Sequence, residues 1–406
     1  MTGPSRSFSQ WICQQIDRTA LWCAVLAVCG MGHADARLSV PSLQSETAPA
    51  LVNGAYLAQH LPRIHYHGGP FLRHPRIVTV TFAADRPDAV TLLERFGNAV
   101  TRTLWWRLVV AGYCATEGDC IGDGLPGLAV RVDDALSTEI RAVDISALLK
   151  RDARAGRFGT LDSNSLLLVY LPPGVNLSDA FARYCGAGPR GFHRALRLDG
   201  KSVPYAVIPR CGDLAATTTT ASHELLEATA NPDNPHRGFA FVQSSANLGF
   251  TSAGVEPVDA CGLISGDSRQ TNESGFIVQR AWSNVAASMG HDPCVPATAH
   301  LPFVALVPLQ AAVPLVNAGD HALITLVAAA DRPVGEWSVS AIDVSASQGG
   351  EPCTAVALDR TAIAPGDTAS LSITRLVSRT TRVCVVGIVS KLDGRAYLWP
   401  LAVGQP

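Results

Sequence analysis

Charge is scarce in this chain. Charged residues make up 16% of its 406 positions, against roughly 25% in an ordinary soluble domain. The 34 acidic and 32 basic residues leave a formal net charge of −2. Lysine is rarer still: only Lys150, Lys201 and Lys391 occur, and the remaining basic residues are arginines. A charge this balanced gives no electrostatic basis for nucleic acid or an anionic membrane surface as the main partner. Short signatures of other chemistries are missing too. There is no C-x-x-C pair for a thiolate metal site, no G-x-x-x-x-G-K-[ST] phosphate loop and no G-x-S-x-G nucleophile elbow. What the chain does have is apolar content, 47% hydrophobic, enough to bury a large core and to exclude general disorder.

The longest apolar run is Thr19 to Gly32, shorter than the roughly 20 residues that a membrane span needs. It follows Arg18 and ends at Ala34-Asp35-Ala36, a small-x-small site, so residues 1–36 read as a secretory signal peptide and no membrane span is expected. Of eleven cysteines, three fall in that segment. The other eight form an even set, which in an exported chain points to disulfides. Pairing neighbours gives Cys114 with Cys120, Cys185 with Cys211, Cys261 with Cys294, and Cys353 with Cys384.

Residues 37–62 read as a polar, irregular linker. From 63 to 300 the chain reads as an α/β domain, a mixed sheet with flanking helices. Strand-like runs 76–83, 128–132, 165–171 and 203–208 alternate with helical runs 87–103, 144–155 and 213–230. The last helix is stopped by Asn231-Pro232, and 231–300 reads as loop-rich. From 301 to 406, seven short β-rich runs separated by Gly, Asp and Pro turns read as an all-β sandwich.

The sharpest chemical signal lies on the last helix. His223 and Glu227 are four residues apart and share one helical face. Imidazole nitrogen and carboxylate oxygen are both zinc ligands. Glu224, next to His223, is placed to act as general base on a coordinated water. This is H-E-x-x-E, a variant of the zinc-peptidase H-E-x-x-H. Ten Glu occur in the whole chain and two fall in this single turn. The third ligand is expected downstream, from Glu256 or Asp259 beside Cys261, or from His291 beside Cys294. His65 and His67 form a weaker local pair, more readily a turn beside Gly68 and Gly69. His193 stands alone and reads as structural.

The blocks YHGGP (66–70), VYLPPGV (169–175), VPYAVIPRC (203–211), ASHELLEA (221–228) and GVEPVDAC (254–261), in this order, resemble the secreted EXORDIUM-like, phosphate-induced protein family in its bacterial branch. The resemblance spans about residues 64–296. Where the family reads Thr-Asp-Pro after the helix, this chain has Ala230-Asn231-Pro232. Where it reads Glu-Ile-Gly-Asp-x-Cys, Pro257 and Val258 fill the middle, while Glu256, Asp259 and Cys261 keep their spacing. The resemblance implies an extracellular or periplasmic protein and no established activity.

Two functions follow as expectations. One is a secreted zinc-dependent hydrolase, peptidase-like, acting on extracellular peptide or polysaccharide, with zinc on His223, Glu227 and a third residue. The other is a non-catalytic extracellular binding protein with a glycan or peptide groove, for which Trp105, Trp106 and Tyr113 are candidates; the same three read equally as core residues, the commoner fate of such side chains.

Overall fold

The computed structural model describes residues 53–404, apart from 234–235, 245–246, 253, 266–268, 298–300 and 379–382. The expected signal peptide, 1–36, and residues 37–52 of the expected linker lie outside the described residues. The rest of that linker is not irregular. Residues Gly54–His60 form helix α1, opened by Asn53, whose side chain accepts the Ala55 N–H at 3.0 Å. Only Leu57 of its seven residues is buried, so no apolar period marks it in the sequence.

The α/β part is built on a five-stranded sheet. Its strands are β1 (Arg76–Phe82), β2 (Leu125–Val132), β3 (Ser165–Tyr170), β4 (Phe192–Leu198) and β5 (Lys201–Ile208), in the spatial order β2-β1-β3-β5-β4. β2, β1, β3 and β5 run parallel, and β4 pairs antiparallel to β5 at the edge. β3 reads as a continuous apolar run because all six of its residues are buried between two layers. Alternate residues face opposite cores. Ile77, Leu166, Leu168, Ala206 and Ile208 share one apolar cluster with α2 (Pro87–Ala99), α3 (Leu104–Val110) and α5 (Leu214–Ala230). Val78, Leu167, Val169, Tyr205 and Val207 share the other with Ile145 and Leu149 of α4 (Ala142–Arg154). The expected mixed sheet with flanking helices is therefore present.

Strand β4 is an addition to the expected elements. Its residues FHRALRL mix charge and apolar positions, as an edge strand does. The signal for it is Asp199-Gly200, both with positive φ (49° and 82°), joining Leu198 to Lys201 as a two-residue hairpin turn. The region 231–300, expected to be loop-rich, also holds short elements. Helix α6 (Asp259–Ile264) and strand β6 (Ile277–Gln279) are the two that bear on the site.

Beyond residue 301 the chain is β-rich. Strands β7 (Val304–Pro308), β8 (His321–Ala330), β9 (Trp337–Asp343), β10 (Thr354–Leu358), β11 (Thr368–Arg375), β12 (Cys384–Leu392) and β13 (Arg395–Val403) form two sheets. One has the order β7-β8-β11-β10. The other centres on β13-β12-β9 and is flanked by the short strands Ala312–Val313 and Ala362–Ile363. The composition shift near Pro302 is not a break in packing. Phe250 lies edge-on to Trp399 at 5.3 Å, and one apolar cluster runs from the α/β part into the β-rich part. The disulfides are Cys114–Cys120, Cys185–Cys211, Cys261–Cys294 and Cys353–Cys384, the neighbour pairing. Four bridges fit a chain that folds in an oxidising compartment. No helix among the described residues is long and apolar enough to cross a membrane.

Candidate metal centre

Helix α5 carries the site. Asp213 caps it by accepting the Ala216 N–H at 2.7 Å, and the chain leaves it at Asn231, which cannot stay helical before Pro232. The helix lies between the central sheet and β6, and almost all of its second half is buried. It is pinned to β6 through Ser222, whose Oγ accepts the Gln279 N–H, and through Thr218, whose Oγ donates to the Ile277 carbonyl. Positions 223, 224 and 227 set the chemistry. Residue 227 is i+4 from His223 and i+3 from Glu224, so one carboxylate neighbours two side chains that diverge from each other.

Three other segments bring groups to that turn. Antiparallel pairing of β4 with β5 sets His193 opposite Ala206 and over the helix. The segment after Gly254 delivers Glu256, and α6 begins at Asp259. His223 Nε2 lies 3.1 Å from Glu227 Oε2 and 3.8 Å from Asp259 Oδ1. His193 Nδ1 lies 3.3 Å from Glu224 Oε2 and 3.7 Å from Glu227 Oε2, while its Nε2 is 3.7 Å from Glu256 Oε1. Thus two imidazoles meet four carboxylates, in two overlapping triads: His223, Glu227, Asp259 and His193, Glu224, Glu227. Ligands about 2.0–2.2 Å from a tetrahedral zinc stand roughly 3.3–3.6 Å from one another. The separations here bracket that range.

Two glycines make room. A Cβ at Gly191 would come 2.8 Å from Thr220 Cγ2 and 3.0 Å from Glu224 Oε1. Gly254, at φ +148°, lies so close to the Asp259 carboxylate that a Cβ there would stand 1.8 Å from Oδ2. The outer partners are equally specific. His223 Nδ1 faces Gln279 Oε1 at 3.1 Å; in the neutral imidazole an N–H there donates to Gln279 and leaves Nε2 as the ligand atom toward Glu227 and Asp259. Asn231 Nδ2 donates to Glu256 Oε1 at 3.1 Å and to the Phe239 carbonyl at 2.9 Å.

The charge state reflects this crowding. Burial pushes Asp259 up to about 7, with His223 pulling it down and Glu256 and Glu224 pushing it further up. Burial likewise raises Glu256 to about 8 and Glu227 to about 7, helped by the neighbouring carboxylates and opposed by the imidazoles. Burial disfavours the imidazolium of His193, but Glu256, Glu224 and Glu227 together outweigh it and raise His193 to about 9. Burial also opposes the charged form of His223, and Glu227, Glu224 and Asp259 outweigh it in the same way. Without a cation, the cluster is held together by protons. Glu227 Oε1 is buried and has no hydrogen-bond partner among the described residues. A buried acceptor left unpaired costs about 1–3 kcal/mol or more.

Of the expected residues, His223, Glu224, Glu227, Glu256 and Asp259 converge. His291 does not: its Nδ1 faces Asp331 Oδ2 at 3.2 Å and its side chain is half exposed, away from the cluster. It is a neighbour of Cys294 in sequence, but the Cys261–Cys294 bridge brings together the backbones, not that imidazole. His65 and His67 lie on and just after the short strand Ile64–Tyr66, where His67 Nε2 meets the Ala240 carbonyl at 3.2 Å, also outside the cluster. His193, read as structural, is the residue that sequence reasoning missed. Of the two readings of Trp105, Trp106 and Tyr113, groove or core, the structure has the core: all three are buried. Trp106 Nε1 donates to the Gly122 carbonyl and the Tyr113 hydroxyl to the Trp282 carbonyl.

No family model matches the chain, and no curated protein matches it. Among solved structures, a Bacteroides ovatus GH5 xyloglucanase in complex with a XXXG heptasaccharide is similar over 26% of this chain and 19% of its own, at 10% identity and a TM-score of 0.17. A chain of the titin M10–obscurin-like 1 Ig complex is similar over 25% of this chain and 91% of its own, at 17% identity and a TM-score of 0.16. At these scores neither fold nor function carries across.

Proposed function

We propose that the protein is a secreted, divalent-metal-dependent hydrolase, peptidase-like, and that zinc is the ion that fits it best. The observation that carries the reading is the convergence of His223, Glu227 and Asp259, with Glu227 Oε2 facing His223 Nε2 at 3.1 Å, the second Glu227 oxygen buried and unpaired among the described residues, and Gln279 at the far nitrogen of His223. Nitrogen and oxygen donors of this kind suit zinc, and three protein ligands leave a position open. Zinc bound there supplies Lewis-acid polarisation of a scissile carbonyl and a lowered pKa for a coordinated water. His223, Glu227 and Asp259 would hold the ion. Two carboxylates then stay outside the ligand set: Glu256, which Asn231 holds, and Glu224, which would take the proton of the attacking water and return it to the leaving group. The water oxygen then joins the carbonyl carbon as the bond to the leaving group breaks.

Secretion, the resemblance to the EXORDIUM-like family and extracellular peptide or polysaccharide as substrate belong to the same proposal. So does the reading of the two C-terminal sheets as a β-sandwich that binds or spaces. The alternative of a binding protein loses its proposed groove, since Trp105, Trp106 and Tyr113 are in the core. The test is a chelation cycle on the purified mature chain with a peptide library and a polysaccharide panel as probes. Cleavage should stop on chelation, return with zinc, and be absent in His223→Ala together with loss of metal. Cleavage that survives exhaustive chelation, or no metal in protein purified without chelator, overturns the reading.

A further inference from the structure

The one-ion scheme uses one triad and leaves a second, equally complete, beside it. His193, Glu224 and Glu227 come from different elements, β4 and α5, yet offer ligand atoms as close together as those of His223, Glu227 and Asp259. We propose that the centre is dinuclear, a second divalent cation being held by His193 Nδ1, Glu224 and Glu227, with Glu227 bridging the two ions. The proposal rests on the metal reading above and changes one role in it: Glu224 becomes a ligand.

Four observations point this way. First, Glu227 faces both imidazoles, with Oε2 3.1 Å from His223 Nε2 and 3.7 Å from His193 Nδ1, while its Oε1 is buried and unpaired among the described residues. One oxygen of this carboxylate is thus shared between the two imidazoles, and the other is left without a partner for a cation to take. Second, a carboxylate stands on the far side of the His193 ring: Nε2 is 3.7 Å from Glu256 Oε1, outside hydrogen-bond distance, and Asn231 holds that carboxylate, while Gln279 serves Nδ1 of His223 at 3.1 Å. Third, the charges match. An imidazole binds metal in its neutral form, so the four carboxylates leave −4 in a buried site. One divalent cation leaves −2 and two leave none, and uncompensated buried charge is costly. Fourth, Gly191 lets the start of β4 approach Glu224 more closely than any other residue type permits, which seats His193 against that carboxylate. In two-metal hydrolytic sites the ions stand about 3.5–4 Å apart, a span that one bridging carboxylate covers.

The test counts metal and asks whether the ions sense each other. Full-length mature protein, purified without chelator, is saturated with zinc, desalted and analysed for metal per chain. The expected result is two zinc per chain in the wild type and one in both His193→Ala and Glu224→Gln. Loaded with manganese instead, the wild type should give an exchange-coupled EPR spectrum and His193→Ala an isolated six-line one. If His193→Ala fails to fold, manganese titration of the wild type decides, since coupling at the second equivalent needs no variant. One zinc per chain in the wild type, unchanged in Glu224→Gln, overturns the second site and leaves the one-ion hydrolase with Glu224 as its base. No bound metal overturns both readings.

Discussion

Removing metal should make this protein less stable as the pH rises, and the size of the effect follows from the site. Asp259 has its carboxyl raised from 3.8 to about 7 in the fold, chiefly by burial. A raised folded pKa means that the native state binds more protons than the unfolded chain, so unfolding free energy falls with pH. The contribution is fully present below the unfolded value and is lost as pH rises through about 7. Between pH 5 and pH 8 this one group takes away roughly 2–3 kcal/mol, at no more than about 1.36 kcal/mol per pH unit. Glu256, raised to about 8, and His193, raised to about 9, act in the same direction. Surface aspartates with lowered values, such as Asp123 beside Arg107 and Asp144 beside Arg141, lose their contribution only on acidification. Their titration lies below the chosen window. At about 2–4 °C per kcal/mol for domains of this size, the Asp259 term alone predicts a fall in Tm of roughly 5–10 °C between pH 5 and pH 8. Zinc should flatten the slope, offsetting about what Asp259 takes away. At a hundredfold excess over Kd it adds about 2.7 kcal/mol at pH 8 and far less at pH 5, where protons compete for the same ligands. The assay is a set of calorimetric melts of chelated and zinc-loaded protein at pH 5, 6.5 and 8, with Asp259→Asn as control. The amide does not titrate, so its metal-free Tm should depend less steeply on pH. A chelated wild type that is more stable at pH 8 than at pH 5, or a wild type and Asp259→Asn with equal slopes, would refute the reasoning.

Three further outcomes follow from the same geometry. Cys261 lies two residues after Asp259 on α6, and its bridge to Cys294 spans a sequence separation of 33. Replacing both with Ser should cost roughly 3–4 kcal/mol by loop-closure entropy and weaken zinc retention, measured by urea melts and dialysis against a competing chelator. Gly191→Ala sets a methyl 2.8 Å from Thr220 and 3.0 Å from Glu224, so hydrolysis should drop at least tenfold while the far-UV CD spectrum stays native; full activity would remove Gly191 from the argument. Intact-mass analysis of exported protein should show a chain beginning near Arg37, and a full-length cytoplasmic product would remove the signal-peptide reading.

The local rules are legible along the chain, and the long-range ones are not. Strands β1, β3 and β5 and helix α5 stand where apolar runs, an Asp cap and Asn231-Pro232 set them, because such signals act within a few residues. The H-E-x-x-E spacing by itself places His223 and Glu227 on one face of α5, since helical geometry fixes that relation. The neighbour pairing of eight cysteines also comes from sequence order. Strand β4 could have been found from Asp199-Gly200, but its mixed edge-strand pattern hides it. Only tertiary structure decided which distant groups complete the site. His193, 30 residues before His223 in the chain, reaches the cluster because β4 folds back antiparallel on β5 and Gly191 permits the approach. His291 does not reach it, because its imidazole turns to Asp331 although a disulfide ties its neighbour to α6. Trp105, Trp106 and Tyr113 went into the core, since composition cannot distinguish a buried aromatic from one lining a groove. The sequence by itself determined one helical face of ligands. Packing of β4, α6 and the Glu256 segment against that face decided how many carboxylates and imidazoles meet there, because side-chain convergence across such distances depends on strand pairing and backbone approach that no local pattern encodes.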